Sequence, residues 1–316
     1  MAHFLVTGGA GFIGSALVRS LLDRGHSVRV LDNFSTGFKR NLDECSDRIE
    51  LIEADITDPA ACKSAVAGVD YVLHQAAIPS VQRSVDDPLR SHHANETGTL
   101  NMLIASRDAK VKRLVFASSS SVYGDTEVLP KVESMRETPL SPYALTKLAG
   151  EKYCIIFHRI YGLPTVCLRY FNVFGPRQDP HSPYSAVISR FVEAALAGNK
   201  PVVNGDGEQT RDFTYVDNVI DANLRACEAT GAEGMAFNVG TGERHSLNDL
   251  LRALSTIVGR PLEAEYGSAR PGDVRHSQAD IRSARQYLGY NPRVSFQEGL
   301  KRTVEWYSHN FPSANS

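Results

Sequence analysis

The 316-residue chain lacks the patterns that announce several common kinds of protein. Its five cysteines, Cys45, Cys62, Cys154, Cys167 and Cys227, are scattered and odd in number, with no C-x-x-C pair. That argues against a disulfide framework or a cysteine zinc site and for reduced thiols in a cytoplasmic protein. The ten histidines give no H-x-x-x-H or H-E-x-x-H spacing. His92-His93 reads as a polar helix face, and no metal is expected. No apolar run reaches the length of a membrane span and no signal peptide precedes the first strand, so no membrane partner is expected. With a formal charge of −2 and no basic block, nucleic acid is not the expected partner either. What remains is 42% hydrophobic and 22% charged, enough for one large globular unit or two unequal ones.

The N-terminus is the first positive signal. His3-Phe-Leu-Val-Thr7 reads as a short buried strand, followed at once by Gly8-Gly-Ala-Gly11-Phe-Ile-Gly14, after which Ile13, Leu17, Leu21 and Leu22 recur at helical spacing. The glycines stand at G-x-x-G-x-x-G, one residue wider than the G-x-G-x-x-G fingerprint. The physics is shared: a tight strand-to-helix turn, backbone approaching a pyrophosphate, and a helix N-terminus facing the anion. Asp32 closes the next strand (residues 27–31), eighteen residues beyond Gly14. A carboxylate there accepts ribose hydroxyls and repels a 2′-phosphate, which favours NAD over NADP. No basic residue follows until Lys39.

The second signal is Tyr143-Ala-Leu-Thr-Lys147, preceded by Ser141-Pro142 and by Ser118-Ser-Ser-Ser-Val-Tyr123. Ser141 is a good N-cap and Pro142 a good first helical residue, so a helix should start there. Tyr143 and Lys147 then share one face, one turn apart. An ammonium beside a phenol favours the phenolate, and the pair reads as a general base for an alcohol proton.

Up to about residue 170 strands alternate with helices, with strands expected at 49–54, 70–75, 113–118 and 165–170. The rhythm predicts an α/β fold, a doubly wound parallel Rossmann-type sheet whose ligands bind beyond the carboxyl ends of its strands. Gly8, Asp32, Asp55, the Ser118–Ser121 run and Asn172 all fall at such ends. Prolines punctuate shorter elements beyond 172, predicting a smaller α+β substrate-binding region. The expected division is a cofactor-binding unit over 1–171, with returns to the sheet at about 212–240 from residues 213–217 and 236–240. Residues 172–211 and 241–316 would form the second region, ending in an amphipathic helix over 296–307.

These motifs together resemble the extended short-chain dehydrogenase/reductase family and the NAD-dependent sugar-nucleotide epimerases within it, across essentially the whole chain. Besides the stretches above, His74-Gln-Ala-Ala77, Asn95-x-x-Gly98-Thr99, Leu168-Arg-Tyr-Phe-Asn-Val-Phe-Gly-Pro176, Arg211-Asp-Phe213, Asn238-Val-Gly240 and Arg270-Pro-Gly-Asp273 fall in family order. The resemblance implies that Gly8, Gly11, Phe12, Ile13, Gly14, Asp32, Asn33, Ser35, Thr36, Gly37, Asp55, Ile56, Gln75, Ala76, Ala77, Asn95, Tyr170 and Phe171 line NAD. Tyr143 would be the acid/base, Lys147 would hold the nicotinamide ribose and lower the tyrosine, and Ser119 would bond the reacting hydroxyl. A UDP-sugar would meet Ser80, Arg83, Ser119, Ser120, Ser121, Asn172, Ala186, Val187, Val203, Asn204, Arg211, Arg270, Asp273 and Ser277. Arginine forks suit a diphosphate, which fits Arg211 and Arg270. A homodimer through the helices near 95–106 and 143–161 is also implied.

Related chemistries are set apart by the residues next to Ser119. The dehydratases carry an Asp-Glu pair and the decarboxylases a glutamate before Val-Tyr, where this chain has Ser120 and Ser121. A non-catalytic NAD-sensing protein would have no need of Ser119, Tyr143 and Lys147 together. In the family the residue four after Arg-Pro-Gly-Asp faces the C2 substituent of the hexose. Here it is Ser277, small enough for an N-acetyl group, so UDP-GlcNAc and UDP-GalNAc are the expected pair. A uronic acid would instead need a cation such as Arg83 near C6.

Overall fold

The computed structural model describes residues 1–180, 186–268 and 274–310; the expected site residues Arg270 and Asp273 lie outside them. The chain opens with β1 (His3–Thr7), α1 (Phe12–Asp23), β2 (Ser27–Asp32), β3 (Ile49–Glu53), α2 (Pro59–Val66) and β4 (Tyr71–His74). Next come α3 (Val81–Asp86) and α4 (Pro88–His92), the latter running through a π-helical turn at His93–Thr97 into α5 (Gly98–Asp108). β5 (Arg113–Ser119), α6 (Pro142–Tyr161) and β6 (Thr165–Tyr170) follow. The remainder is β7 (Val173–Phe174), α7 (Val187–Ala197), β8 (Val202–Asn204), β9 (Thr210–Arg211), β10 (Thr214–Tyr215), α8 (Val216–Glu228) and β11 (Met235–Val239). It closes with β12 (His245–Ser246), α9 (Leu247–Val258), β13 (Glu265–Gly267), α10 (Arg282–Leu288) and α11 (Phe296–Asn310).

Seven strands form one sheet in the order β11-β6-β5-β4-β1-β2-β3, every pair parallel. Side chains alternate between its two faces. Phe4, Val6, Val28, Val30, Val115 and Val166 pack on the face carrying α1 and α8. Leu5, Leu31, Val72, Leu114, Phe116 and Cys167 pack on the face of α2, α5 and α6. Both faces being covered explains why these strands read as apolar runs. All five cysteines are buried and unbridged.

One expected return to the sheet is not made. Residues 213–217 supply only the two-residue β10, which pairs with β7 in a separate ribbon and then turns into α8. The return at 235–239 is made, because β11 pairs with β6 over five positions. The last helix extends past 307 to Asn310.

Candidate active site

Register brings the strand ends to one edge: Thr7 lies level with Leu31 and His74, and Ser119 with Tyr170. Strand order reverses between β1 and β4, and beyond that point opens a cavity of about 450 Å³. Its walls include Gly8, Gly11, Phe12, Ile13, Gly14, Asp32, Asn33, Ser35, Thr36, Gly37, Asp55, Ile56, Gln75, Ala76, Ala77, Ser80, Arg83, Tyr143, Lys147, Tyr170 and Ala186. A second cavity of about 230 Å³ is lined by Asn172, Ala186, Val187, Asn204 and Arg211, among others. Val173 and Ala186 border both, so the two spaces share a wall.

The first cavity fits a dinucleotide on its own geometry. A Cβ at Gly8 would stand 2.8 Å from the Ala76 backbone, and one at Gly37 would stand 2.8 Å from the carbonyl carbon of Ala10. Three backbone turns therefore meet with no side chains between them. Gly11 caps α1 without a side chain, and Phe12, Ile13 and Gly14 line the space, so an anion there meets a helix N-terminus. Asp32 accepts the Ala10 N–H through Oδ2 and the Phe34 N–H through Oδ1, both at 2.8 Å. Each oxygen keeps a lone pair for a ribose hydroxyl. Burial raises the Asp32 pKa, and the Phe34 and Ala10 N–H groups oppose it. The acid thus shapes the loop as well as reading the sugar.

Behind the wall runs a hydrogen-bond chain whose direction is fixed at one end. Thr99 Oγ1 donates to the Asn95 carbonyl (2.6 Å), so it accepts from His74 Nε2–H (3.0 Å). His74 Nδ1 then accepts from Thr7 Oγ1 (2.7 Å), which in turn accepts the Ala76 N–H (3.2 Å). The imidazole is neutral, in accord with burial and the nearby Lys147 driving it down to about 3. Its function here is to hold the Ala76 backbone.

Several expected contact residues line neither cavity. Asn95 sits under the wall inside the π-helical turn. Its Oδ1 accepts the Ile78 N–H (2.7 Å) and its Nδ2 donates to the Ile78 carbonyl (3.1 Å) and Thr146 Oγ1 (3.2 Å). Both ends of the amide are engaged, so it splints the cofactor loop and does not line it. Phe171 and Val203 are wholly buried in the apolar core. Ser120 and Ser121 form a 3-10 turn directly after β5.

Ser141 caps α6 by accepting the Ala144 N–H at 3.1 Å, Pro142 takes the first position, and Gly162 ends the helix in the left-handed region. Tyr143 is half-buried beside the Ser119 side chain, whose Oγ accepts the Ser121 N–H. Lys147 donates to the Ala117 carbonyl at 2.8 Å. The expectation that its ammonium lowers the tyrosine is not met. Burial dominates and raises the phenol pKa, with the Ser119 bond opposing. The ammonium lies 6.0 Å from the tyrosine ring centre, and burial takes Lys147 itself down to about 8.

Sequence reasoning missed Arg177, Gln178 and Asp179, which line the first cavity from the far side. Arg177, with φ of 67°, pairs with Glu44 at 2.6 Å and stacks on Trp306, while Tyr307 donates to the Gln178 carbonyl. Nothing local in a Pro-Arg-Gln-Asp run signals that tether. Arg211 Nη1 donates to the Thr210 and Arg275 carbonyls, both at 3.0 Å, and Asp212 follows it in sequence. The buried Asp212 carboxylate accepts Thr241 N–H and Oγ1–H (2.8 Å each), Gly242 N–H (2.9 Å) and Ala279 N–H (3.1 Å). It fastens β9 to the 277–279 segment. There Ser277 Oγ accepts from Asn172 Nδ2 at 3.2 Å.

A glycine cradle at the switch point of a parallel sheet, beside a tyrosine and a lysine on the first turns of α6 and a serine ending β5, defines a nicotinamide-nucleotide enzyme. Residues 4–240 match the model of the NAD dependent epimerase/dehydratase family, and the chain belongs to that family. It is an NAD-dependent enzyme. It is 44% identical over 308 residues to a UDP-glucose 4-epimerase of Mycolicibacterium smegmatis, covering 96% of this chain and 97% of that one. Among solved structures it is similar to the UDP-N-acetylglucosamine 4-epimerase of Methanobrevibacter ruminantium in complex with UDP-N-acetylmuramic acid. There the TM-score is 0.94 and the identity 40%, over 98% of this chain and 99% of that one. The UDP-glucuronic acid 4-epimerase of Bacillus cereus, in complex with UDP-glucuronic acid and NAD, gives a TM-score of 0.90 at 33% identity, over 98% of this chain and 100% of that one.

Proposed function

We propose that the chain is a cytoplasmic UDP-sugar 4-epimerase that interconverts UDP-GlcNAc and UDP-GalNAc and also accepts UDP-glucose and UDP-galactose. The observation that carries this reading is the shared wall. One cavity fits the dinucleotide, the next carries Arg211 and Asn172 for a diphosphate, and the sugar between them falls beside Tyr143 and Ser119.

NAD, when bound, takes a hydride from C4 of the sugar and later returns it. The rest is done by the chain. Tyr143, once ionised, accepts the O4 proton while Ser119 bonds the same oxygen, and a 4-ketose results. Lys147 holds the ribose, with its ammonium anchored on the Ala117 carbonyl. Arg211 and Asn172 grip the diphosphate, so the ketose turns about that anchor and presents its other face. With C4 reduced again on its other face, Tyr143 would give the proton back to O4, inverting the centre with no net redox change.

Ser277 supports the N-acetyl assignment, because it is small and borders Asn172. Ser277→Tyr should suppress epimerisation of UDP-GalNAc at least about tenfold while sparing UDP-galactose, since a roomy pocket rejects smaller substrates weakly. Product analysis by NMR over UDP-hexoses, UDP-hexosamines and UDP-uronic acids reads this directly. An unmodified enzyme that epimerises only plain hexoses would sink the Ser277 assignment. Preference for the uronic acids would favour the second reading, in which Arg83 on the cavity wall reads the carboxylate.

A homodimer is part of the same proposal. Leu145, Ile156 and Ile160 on α6 and Ile104 on α5 are exposed apolar residues, and a second copy of these two helices would cover them. Ile160→Glu should halve the mass measured by sedimentation equilibrium; a monomeric unmodified chain would refute the dimer.

A further inference from the structure

Tyr143, Lys147 and Glu151 stand at i, i+4 and i+8 on α6, on one face of the helix, and all face the sheet. Glu151 has no solvent exposure. Its Oε1 accepts the Ser118 hydroxyl, and its two oxygens accept from Arg169 Nε (2.9 Å) and Nη2 (2.8 Å). Ser118 immediately precedes Ser119 at the end of β5, and Arg169 immediately precedes Tyr170 at the end of β6. One carboxylate therefore joins the catalytic helix to the two strands that deliver Ser119 and Tyr170 to the cavity. A buried ion pair costs desolvation and is weak evidence for stability by itself. We propose that Glu151 is a positioning residue for the Tyr143–Lys147 pair, fixing the Ser119 end of β5 against the helix and setting a carboxylate one turn from Lys147 on the same face.

The charges around Lys147 support the second half. From α6, Tyr143, Cys154 and Glu151 face it; from β5, the Ala117 carbonyl and the Phe116 ring, 5.1 Å away. From β4 comes His74, which is neutral. On β6 lie Arg169 and Cys167. Arg169 also pairs with Glu137 (2.9 Å) and covers the Tyr123 ring, and Glu137 meets Lys152 at the rim. Glu137 and Glu151 are balanced by Lys152 and Arg169, and Glu151 is the carboxylate of the cluster that stands on the Tyr143–Lys147 face of α6. Burial lowers the lysine most, and Cys154 and Glu151 oppose it; Glu151, paired with Arg169, is the standing anion.

The test uses the NAD-loaded enzyme across pH together with the 13Cε NMR titration of Lys147 in the NAD-free protein. Glu151→Gln keeps an oxygen for Ser118 and removes the charge. The alkaline limb of the kcat profile should move down by about one pH unit, and the Lys147 midpoint should move with it. Activity lost at high pH should then be recovered at lower pH. Ser118→Ala should lower kcat severalfold at every pH with the limb in place. If Glu151→Gln does not fold, Glu151→Gln/Arg169→Met removes both charges together and should displace the limb in the same direction by less, because a cation leaves with the anion. An equal loss at all pH values, with an unmoved lysine midpoint, would reduce Glu151 to a packing strut and overturn the proposal. The inference rests on Tyr143 and Lys147 doing the chemistry. Failure of the epimerase reading would appear as no turnover by the unmodified chain, while the lysine titration stays readable.

Discussion

Tyr143→Phe removes about 10²- to 10⁴-fold of turnover, the range of a positioned acid/base. The loss should fall on kcat while NAD stays bound. Only the hydroxyl disappears, and the ring keeps its half-buried seat at the head of α6. Ser119 cannot substitute, because its hydroxyl already accepts the Ser121 N–H and has no acid–base partner of its own besides Tyr143 among the described residues. Turnover of UDP-sugar, measured alongside NAD quantified in the purified variant, separates the two effects. Turnover near that of the unmodified enzyme would remove the tyrosine from the mechanism. Loss of NAD along with activity would show instead that the substitution disturbs the cavity.

Gly14→Ala is the second large effect and acts on the cradle. The added Cβ would fall on the Gly8 carbonyl oxygen and stand 2.8 Å from the Gly8 carbonyl carbon and 2.9 Å from Gly9 Cα. These are backbone atoms of the turn, pinned by Gly8 N–H bonded to the Leu31 carbonyl and Gly11 N–H bonded to that of Gly8. No side chain can move aside, so the turn must open. A cost of about 3 kcal/mol, at the upper end for overpacking, is expected in urea unfolding, together with loss of NAD binding in equilibrium dialysis. Gly25→Ala is the comparison. Nothing lies within 4 Å of its added Cβ, so only its φ of 76° resists the change. It should cost about 1 kcal/mol and leave NAD binding intact.

What could be read from the sequence is what is encoded locally. Ser141, Pro142, Tyr143 and Lys147 lie within a few residues of one another, so capping and helical spacing place the pair without tertiary information. The glycine turn and Asp32 are legible for the same reason, since strand, turn, helix and next strand follow in order. Legibility fails where partners are far apart. Asn95 carries a family motif, yet its role depends on Ile78 and on Thr146, 51 residues away. Arg177 finds Glu44 across 133 residues. Nothing in the sequence singles out Glu151 or Arg169, and only the packed sheet shows them sealed together. The tyrosine pKa eludes the sequence because closeness along a helix is not closeness of charge. The lysine head reaches away to the strand carbonyl of Ala117. Residues 213–217 have the apolar texture of a sheet strand, but the ribbon with β7 claims them.

The place of β11 also has a consequence for how the protein is made. β6, whose six residues are all buried, sits between β5 and β11, so one side of it stays unpaired until β11 exists. Val239 follows Tyr170 by 69 residues (239 − 170). At a synthesis rate of about 5–20 residues per second, that separation is roughly 3–14 seconds on the ribosome. For that interval the nascent chain presents Thr165-Val-Cys-Leu-Arg-Tyr170 as a bare template for another strand. A fragment stopped at residue 171 would keep that edge permanently. A cofactor half ending there should therefore be less soluble than the whole chain, because the strand that covers its edge is made long after the glycine cradle.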